Sequence, residues 1–372
     1  MDERFGRDGA TAERRPLSAT LGRKLRGELA WDALEAPLAP ESAPAIRARL
    51  DSMSVVHLGS GAHERWSVQQ EVLAVTQEEV SAAEATLVGL RGRDVVCWSP
   101  TYWHAIPEDR RTDNRVICFF HHGGLRVFDD PQIVAGLCMN ETVADELRQQ
   151  QPSKPVRVVA VGGVEDAVPY ARRSHPTRKI RLLMAGNASG RFHLFVGRQK
   201  VYLKRKGVEL IEPIARRLDP EHYAWVFVGL DWEPYAQRLA AEGWTVISPG
   251  PLESPGHYEY FGEGDIHLML SRVEGGPLTL LEAMGLGMWT ISTPTGIAPA
   301  VVRDGLTGHL VPPFDGSNVE QLAERVAAHI LSLDPMTLSA ARPRIRDSVA
   351  QRTWANFKVE VEAFTRERFH AG

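Results

Sequence analysis

The stretch "SRVEGGPLTLLEAMGLGMWT", residues 271–290, decides the fold. It sets Glu274 and Glu282 around a Gly-Gly-Pro turn, with seven residues between the two carboxylates. Gly275 and Gly276 open backbone angles closed to other residues, and Pro277 presets the first helical position, so the stretch reads as a tight turn feeding a helix. Glu282 then lies one to two turns inside. Leu278, Leu281, Met284 and Gly285 recur at helical spacing, which predicts one face packed on a sheet. The helix N-terminus is left facing a cleft, where free backbone N–H groups and a positive helix end make a site for a diphosphate. A carboxylate at Glu282 has the two acceptor oxygens needed for both hydroxyls of a ribose, and Glu274 at the turn can accept from a sugar hydroxyl. The same spacing also suits a glutamate that caps or pairs on a helix surface beside a tight turn.

Outward from this stretch, strand and helix patterns alternate. "IRLLMAG", "YAWVFVGL", "WTVIS", "DIHLMLS", "MWTIST" and "GLTGHLVPP" read as strands, interleaved with helical patterns such as "KGVELIEPIARRL" and "EPYAQRLAAEG". The first half repeats the arrangement with "MSVVHLGS", "RDVVCWSP" and "NRVICFFHHGG" as strands, "QEEVSAAEATLVGLRG" as a helix, and "DPQIVAGLCMNETVADELRQQ" as a strand-helix pair. Such alternation is the signature of doubly wound α/β domains. The predicted organisation is an N-terminal extension with a helix over 1–50, a Rossmann-like domain over 51–175, a second over 176–350, and a C-terminal helix over 351–372.

With 372 residues, 43% apolar and 24% charged, the chain has material for two cores. A net charge of −4 gives no sign of a nucleic-acid partner. Cys97, Cys118 and Cys138 are each embedded in apolar surroundings without metal-like pairing, so no zinc site is expected and a reducing, cytoplasmic setting is predicted. The first residues, "MDERFGRDGATAERR", lack the apolar centre of an export signal, and no apolar run is long enough to span a membrane.

Three further groups sit at predicted strand ends, where open parallel sheets bind ligands. Arg205 and Lys206 precede Gly207 and a helix; they read either as a solvated basic cluster or as charge for a leaving diphosphate. His121 and His122 follow an apolar strand and precede Gly123-Gly124, a place for a substrate-facing imidazole or for a structural histidine. Trp66, Trp98, Tyr102 and Trp103 are either core or a stacking surface for an acceptor, and Tyr102, Trp103 and His104 form the acceptor-site shortlist.

These residues and their order resemble the retaining GT-B glycosyltransferases, the large group that includes sucrose synthases, bacterial glycogen synthases and cell-envelope mannosyltransferases. The resemblance rests on "EGGPLTLLEAMGLG" with its glutamate pair, on Lys206-Gly207, "VFVGL" at 226–230, "GDIHLMLSRVEGG" at 264–276 and "TPTGIAPAVVRDGLTGHLVPPFD" at 293–315. "FFHHGG" occupies the place of that family's strand-end histidine, and "TWANFKVEVEAFTRERF" resembles its last helix, which crosses back to the first domain. The resemblance implies a GT-B architecture of two Rossmann-like domains facing a cleft. By position it implies that Glu282 binds the ribose and Glu274 the donor sugar. Lys206, beside Arg205, holds the diphosphate, with Gly275, Gly276 and the backbone of Pro277, Leu278, Thr279 and Leu280 around the phosphates. His122 or His121 faces the sugar or the reacting centre. Gly186 and Asn187 stand where the family has Gly-Arg, so the usual phosphate arginine is absent, and Arg191, Arg198 or Arg205 are candidates to supply the charge. Ala300 stands where the family has an acidic residue, and "GSGAHERW" lacks its Gly-Gly pair.

The implied function is transfer of a sugar from a nucleotide-diphosphate donor, such as a UDP- or GDP-sugar, to an acceptor hydroxyl of a glycan, glycolipid or natural product. Retention at the anomeric carbon is expected, with no bound metal or other cofactor. The alternatives are a GT-B-shaped binding or scaffold protein without turnover, a sugar-nucleotide epimerase and a phosphorylase. The N-terminal helix is available to cover the cleft or to mediate a homodimer.

Overall fold

Apolar runs ending in Gly, Ser, Cys or Phe become the strands of two parallel sheets. The computed structural model describes residues 38–59, 79–121, 125–163, 179–189, 191–196, 199–250 and 257–369. The first series runs α1 (Ala43–Ser52), β1 (Val56–Gly59), β2 (Glu79–Ser81), α2 (Ala82–Val88), β3 (Asp94–Cys97), α3 (Pro100–Ala105), β4 (Arg115–Phe120), β5 (Ile133–Cys138), α4 (Glu141–Gln150) and β6 (Val156–Val158). Its strands form one parallel sheet in the order β2-β1-β3-β4-β5-β6. β4 is buried from Val116 to Phe120, which explains why "VICFF" shows no polar alternation: both faces are covered.

Local chemistry corrects one expectation here. The predicted helix over "QEEVSAAEATLVGLRG" begins only at Ala82, because Ser81 and Glu84 form a capping box. Ser81 Oγ accepts from Glu84 N at 3.1 Å, and Ser81 N donates to Glu84 Oε2 at 2.9 Å. Residues 79–81 ahead of the cap extend and pair with β1. Helix α1 was not anticipated; only Ile46 and Leu50 of its ten residues are buried, too few for a clear apolar stripe.

The second series runs β7 (Ile180–Asn187), β8 (Arg191–Val196), β9 (Gln199–Lys204), α5 (Ile211–Ala215), β10 (Tyr223–Leu230), α6 (Glu233–Ala241), β11 (Thr245–Gly250), α7 (His257–Phe261), β12 (Ile266–Met269), α8 (Leu278–Gly285), β13 (Trp289–Ser292), α9 (Ala298–Val301) and β14 (Gly308–Leu310). Three helices close the chain: α10 (Val319–Leu331), α11 (Pro335–Val349) and α12 (Trp354–Phe369). The sheet order is β11-β10-β7-β12-β13-β14, so the direction of winding reverses between β7 and β12. A crevice at such a reversal is where doubly wound sheets bind ligands. β8 and β9 pair antiparallel ahead of Lys206.

The last helix returns to the first domain. Ala160 N donates to Glu360 Oε2 at 2.8 Å, Arg115 Nη2 to the Phe369 carbonyl at 3.1 Å, and Phe357 meets Phe119 edge-on at 6.1 Å. The expected domain boundary, the N-terminal helix at 17–36, Trp66 and His122 lie outside the described residues. Cys97, Cys118 and Cys138 are free and buried. Among the described residues no helix is long and apolar enough to cross a membrane.

Candidate active site

The reversal of winding between β7 and β12 sets two strand-end segments side by side. From β7 the chain leaves through Gly186-Asn187; from β12 it leaves through Leu270 to Pro277 and enters α8. Between them lies Lys206, delivered by the exit of β9. Lys206 Nζ is 2.8 Å from Glu274 Oε1, and the two side chains are 9% and 7% exposed. The solvated reading of Lys206 is therefore overturned, because its ammonium is enclosed against a carboxylate 68 positions away. Arg205 Nε lies 3.9 Å from the same oxygen on a quarter-exposed side chain. Gly186 has φ +105, and a Cβ there would meet Lys206 Cε at 3.0 Å, so its bare backbone leaves room for the lysine.

Glu274 is held by more than Lys206. Ser271 Oγ donates to Glu274 Oε1 at 2.8 Å. Burial pushes the carboxyl up, but Lys206, Arg205 and the hydrogen bonds from Lys206 and Ser271 outweigh it and hold it at about 2. Glu274 is thus an anion that only accepts. Behind the pair, on β12, His267 is buried and its Nδ1 has no hydrogen-bond partner. Burial and the Lys206 charge push this imidazole down to about 3, against the opposing pull of Glu274. Arg272 locks the base of the site: its backbone N donates to the Arg205 carbonyl at 2.8 Å, its Nη1 to the Lys204 carbonyl at 2.7 Å, and the same Nη1 pairs with Glu209 at 2.6 Å.

The turn itself differs from its sequence reading in two ways. Neither Gly275 nor Gly276 has a left-handed φ. Both are required by close approach: a Cβ on Gly275 would lie 2.4 Å from the His121 carbonyl oxygen, and one on Gly276 would lie 2.6 Å from Met139 Sδ. Pro277 does not begin the helix but precedes it as an extended N-cap residue, φ −66 and ψ 105, and Leu280 N donates to its carbonyl at 3.0 Å. Leu278 and Thr279 are half-buried, and Glu282, the fifth residue of α8, is half-buried too. The packed face of α8 is Leu280, Leu281, Ala283 and Met284, offset from the predicted set.

Asn187 Oδ1 accepts from Ser189 N and Oγ, both at 2.9 Å, while Ser189 Oγ also bonds Asp231. Arg191 opens β8 and Arg198 lies outside the described residues; Arg205 is the arginine that shares the Glu274 oxygen with Lys206 among the described side chains. His121 reaches the turn through its carbonyl, while its ring Nε2 bonds the Trp98 carbonyl at 3.0 Å inside the first domain. The acceptor shortlist is corrected by packing. Tyr102 and Trp103 are 3% and 0% exposed, and Trp103 Nε1 donates to Asp130 Oδ2 at 2.8 Å beneath Arg111. Their rings are core, closed to a stacking ligand; only His104 of the three is exposed.

Sequence reasoning missed Ser271, His267, Arg272 and Asn140 as parts of this assembly. Ser271, three residues before Glu274, carried a readable signal as a hydroxyl next to the turn. Asn140 also did, as a helix N-cap ahead of "ETVADEL". His267 and Arg272 carried none, since burial of a strand histidine and the aim of a loop arginine are set by distant segments.

Two parallel sheets meeting at this crevice define the GT-B fold. Residues 190–331 match the family described as "Glycosyl transferases group 1". An uncharacterized 41.2 kDa protein in the cps region of Klebsiella pneumoniae is 29% identical over 136 residues, 37% of each chain. A Salmonella typhimurium protein, WcaL, whose name assigns it provisionally as a colanic acid biosynthesis glycosyltransferase, is 29% identical over 164 residues. That match covers 40% of this chain and 38% of WcaL, so the alignments span well under half the length of these relatives. Anabaena Alr3699/HepE, solved with UDP and glucose, superposes with a TM-score of 0.60 at 12% identity, covering 84% of this chain and 99% of that one. The chain thus has a GT-B fold and carries, over 190–331, a segment that matches a glycosyltransferase family.

Proposed function

We propose that the protein transfers a sugar from a nucleotide-diphosphate donor to an acceptor hydroxyl, with retention at the anomeric carbon. The observation that carries this reading is the enclosed Lys206–Glu274 pair at the reversal of winding, on the turn that leads into the Glu282 helix. An ammonium has three N–H donors and Glu274 takes one, which leaves Lys206 able to hold a diphosphate as well. Glu274, ionised throughout the physiological range, accepts from a donor-sugar hydroxyl, and Glu282 accepts from the ribose. As the glycosidic bond to phosphate breaks, negative charge grows on the leaving oxygen. Lys206 and the N-terminus of α8 stabilise it where it develops, and the phosphate oxygen takes the proton from the acceptor hydroxyl attacking the same face.

UDP is the first donor base to test, since HepE was solved with it. A growing surface polysaccharide is the first acceptor class, in line with the cps-region and colanic acid relatives. The test is a thermal-shift panel of UDP, GDP, ADP, TDP and CDP and their sugar conjugates on wild type and Glu282→Ala, followed by NMR of the product anomer. A bound nucleotide at a hundred times its Kd adds about 2.7 kcal/mol, expected for one base and lost in the variant. Binding without transfer or donor hydrolysis across acceptors would favour the scaffold alternative, and an inverted product anomer would overturn retention.

A further inference from the structure

The first domain reaches the turn through three neighbouring groups: the His121 carbonyl and Met139, which fill the space a Cβ would need on Gly275 and Gly276, and the side chain of Asn140. Asn140 is buried and does two things at once. Its Oδ1 accepts from Val143 N at 2.9 Å, capping α4, and its Nδ2 donates to the Gly275 carbonyl at 2.9 Å, 135 residues away. That carbonyl has little freedom, because a Cβ on Gly296, on its other side, would lie 2.6 Å from it. Helix α8 is seated in the same way, with a Cβ on Gly163 falling 2.6 Å from Leu281 Cβ.

We propose that Asn140 is a positioning residue that couples the seating of the first domain to the conformation of the Glu274–Pro277 turn. A primary amide is suited to this because it accepts at one end and donates at the other. The helix cap fixes the amide's orientation, so the N–H that faces Gly275 is aimed before the domains meet. The turn then takes its working shape only with the first domain in place, which would tie the diphosphate and sugar contacts to domain closure. That last step rests on the donor reading above; the mechanical coupling does not.

Asn140→Asp separates the two tasks. A carboxylate still accepts from Val143 N and suits a helix N-terminus, but when ionised it has no hydrogen for the Gly275 carbonyl. Asn140→Ala removes both. The experiment is amide hydrogen exchange of the full chain over 275–286 and 141–150, with Tm, and kcat and KM from pH 5 to 8. In Asn140→Asp we expect protection over 275–286 to fall about tenfold while α4 keeps its protection, with Tm lowered at neutral pH, where the carboxylate faces a carbonyl oxygen, and recovering as pH falls. In Asn140→Ala both segments lose protection. Turnover by Asn140→Asp, relative to wild type, should recover as pH falls, because the protonated carboxyl regains a donor. Wild-type exchange over 275–286 in Asn140→Asp, or loss confined to α4 in both variants, overturns the coupling. Absence of donor-dependent turnover in the wild type would count against the transferase reading and leave the exchange result to decide this one.

Discussion

The carboxyl ends of the two sheets are built from different materials. In the second sheet the strand ends hold charge: Lys206 and Glu274 are enclosed at 2.8 Å, with Ser271 and Arg205 around the same carboxylate oxygen. In the first sheet the segments after β3 and β4 hold rings. Trp98 is buried and His121 is tied to its carbonyl, while Trp103, on α3, reaches the Arg111–Asp130 pair that precedes β4 and β5. Under the proposed transfer, pre-aimed charge suits a phosphate leaving group, and a rigid packed surface suits a seat for the turn that bears Glu274. The pairing teaches that two domains of one architecture divide the labour by what they bury at the same topological place.

The largest break in this contrast should come from the charged end. Lys206→Ala leaves the Glu274 carboxylate buried without its main partner, which costs about 3–5 kcal/mol by urea unfolding. Its donor-dependent turnover should fall by about 10²–10³-fold, the usual effect of losing a group that stabilises developing charge. The aromatic end answers next. Trp103→Phe keeps an aromatic ring, though a smaller one, but removes the hydrogen bond to Asp130, a charged acceptor, and should cost at least about 1.5–3 kcal/mol with donor binding unchanged. If donor affinity fell instead, the first sheet would have a direct part in the site.

At the seam between the two ends, Gly275→Ala sets a Cβ against the His121 carbonyl, a backbone atom that cannot swing away. Overpacking of this kind costs about 1–3 kcal/mol and should appear as raised hydrogen exchange over 275–286. The smallest effect is a slope. His267 stays neutral in the folded protein down to about 3, whereas in the unfolded chain it titrates near its ordinary 6.5. Between those values the unfolded state binds the extra proton, so stability falls as pH falls, by about 1.4 kcal/mol per pH unit for this one group. Glu274, held near 2, adds to the loss only below about 4.5, where the unfolded carboxyl begins to protonate. His267→Leu should flatten the curve between pH 6 and 5 and leave the Glu274 part intact, as measured by Tm against pH.

Much of the fold was legible because its signals are local. Unbroken apolar runs at "RLLMAG", "WVFVGL" and "VICFF" marked strands covered on both faces, and the intervals between them left room for crossovers. The miss at 79–81 has a local cause as well: a Ser81–Glu84 capping box ends the extended segment inside what reads as one helical pattern. The site was half legible. Glu274, the turn and the Glu282 helix stand where their spacing placed them. The role of the glycines was misread, because a required close approach and a required φ look identical in sequence, and here the former operates. Tyr102 and Trp103 were misread because an aromatic residue beside a strand end carries no mark of which way it is packed.

By itself, then, the sequence determined two alternating α/β series and one turn-helix element bearing paired carboxylates, since periodicity and turn chemistry act over a few residues. Only the tertiary structure decided that Lys206 is an enclosed partner of Glu274, that His121 meets the turn through its carbonyl, and that Asn140 bridges the domains. Each of these depends on segments 68 to 135 or more positions apart being brought together where the winding of a sheet reverses, and burial there sets both charge state and steric room.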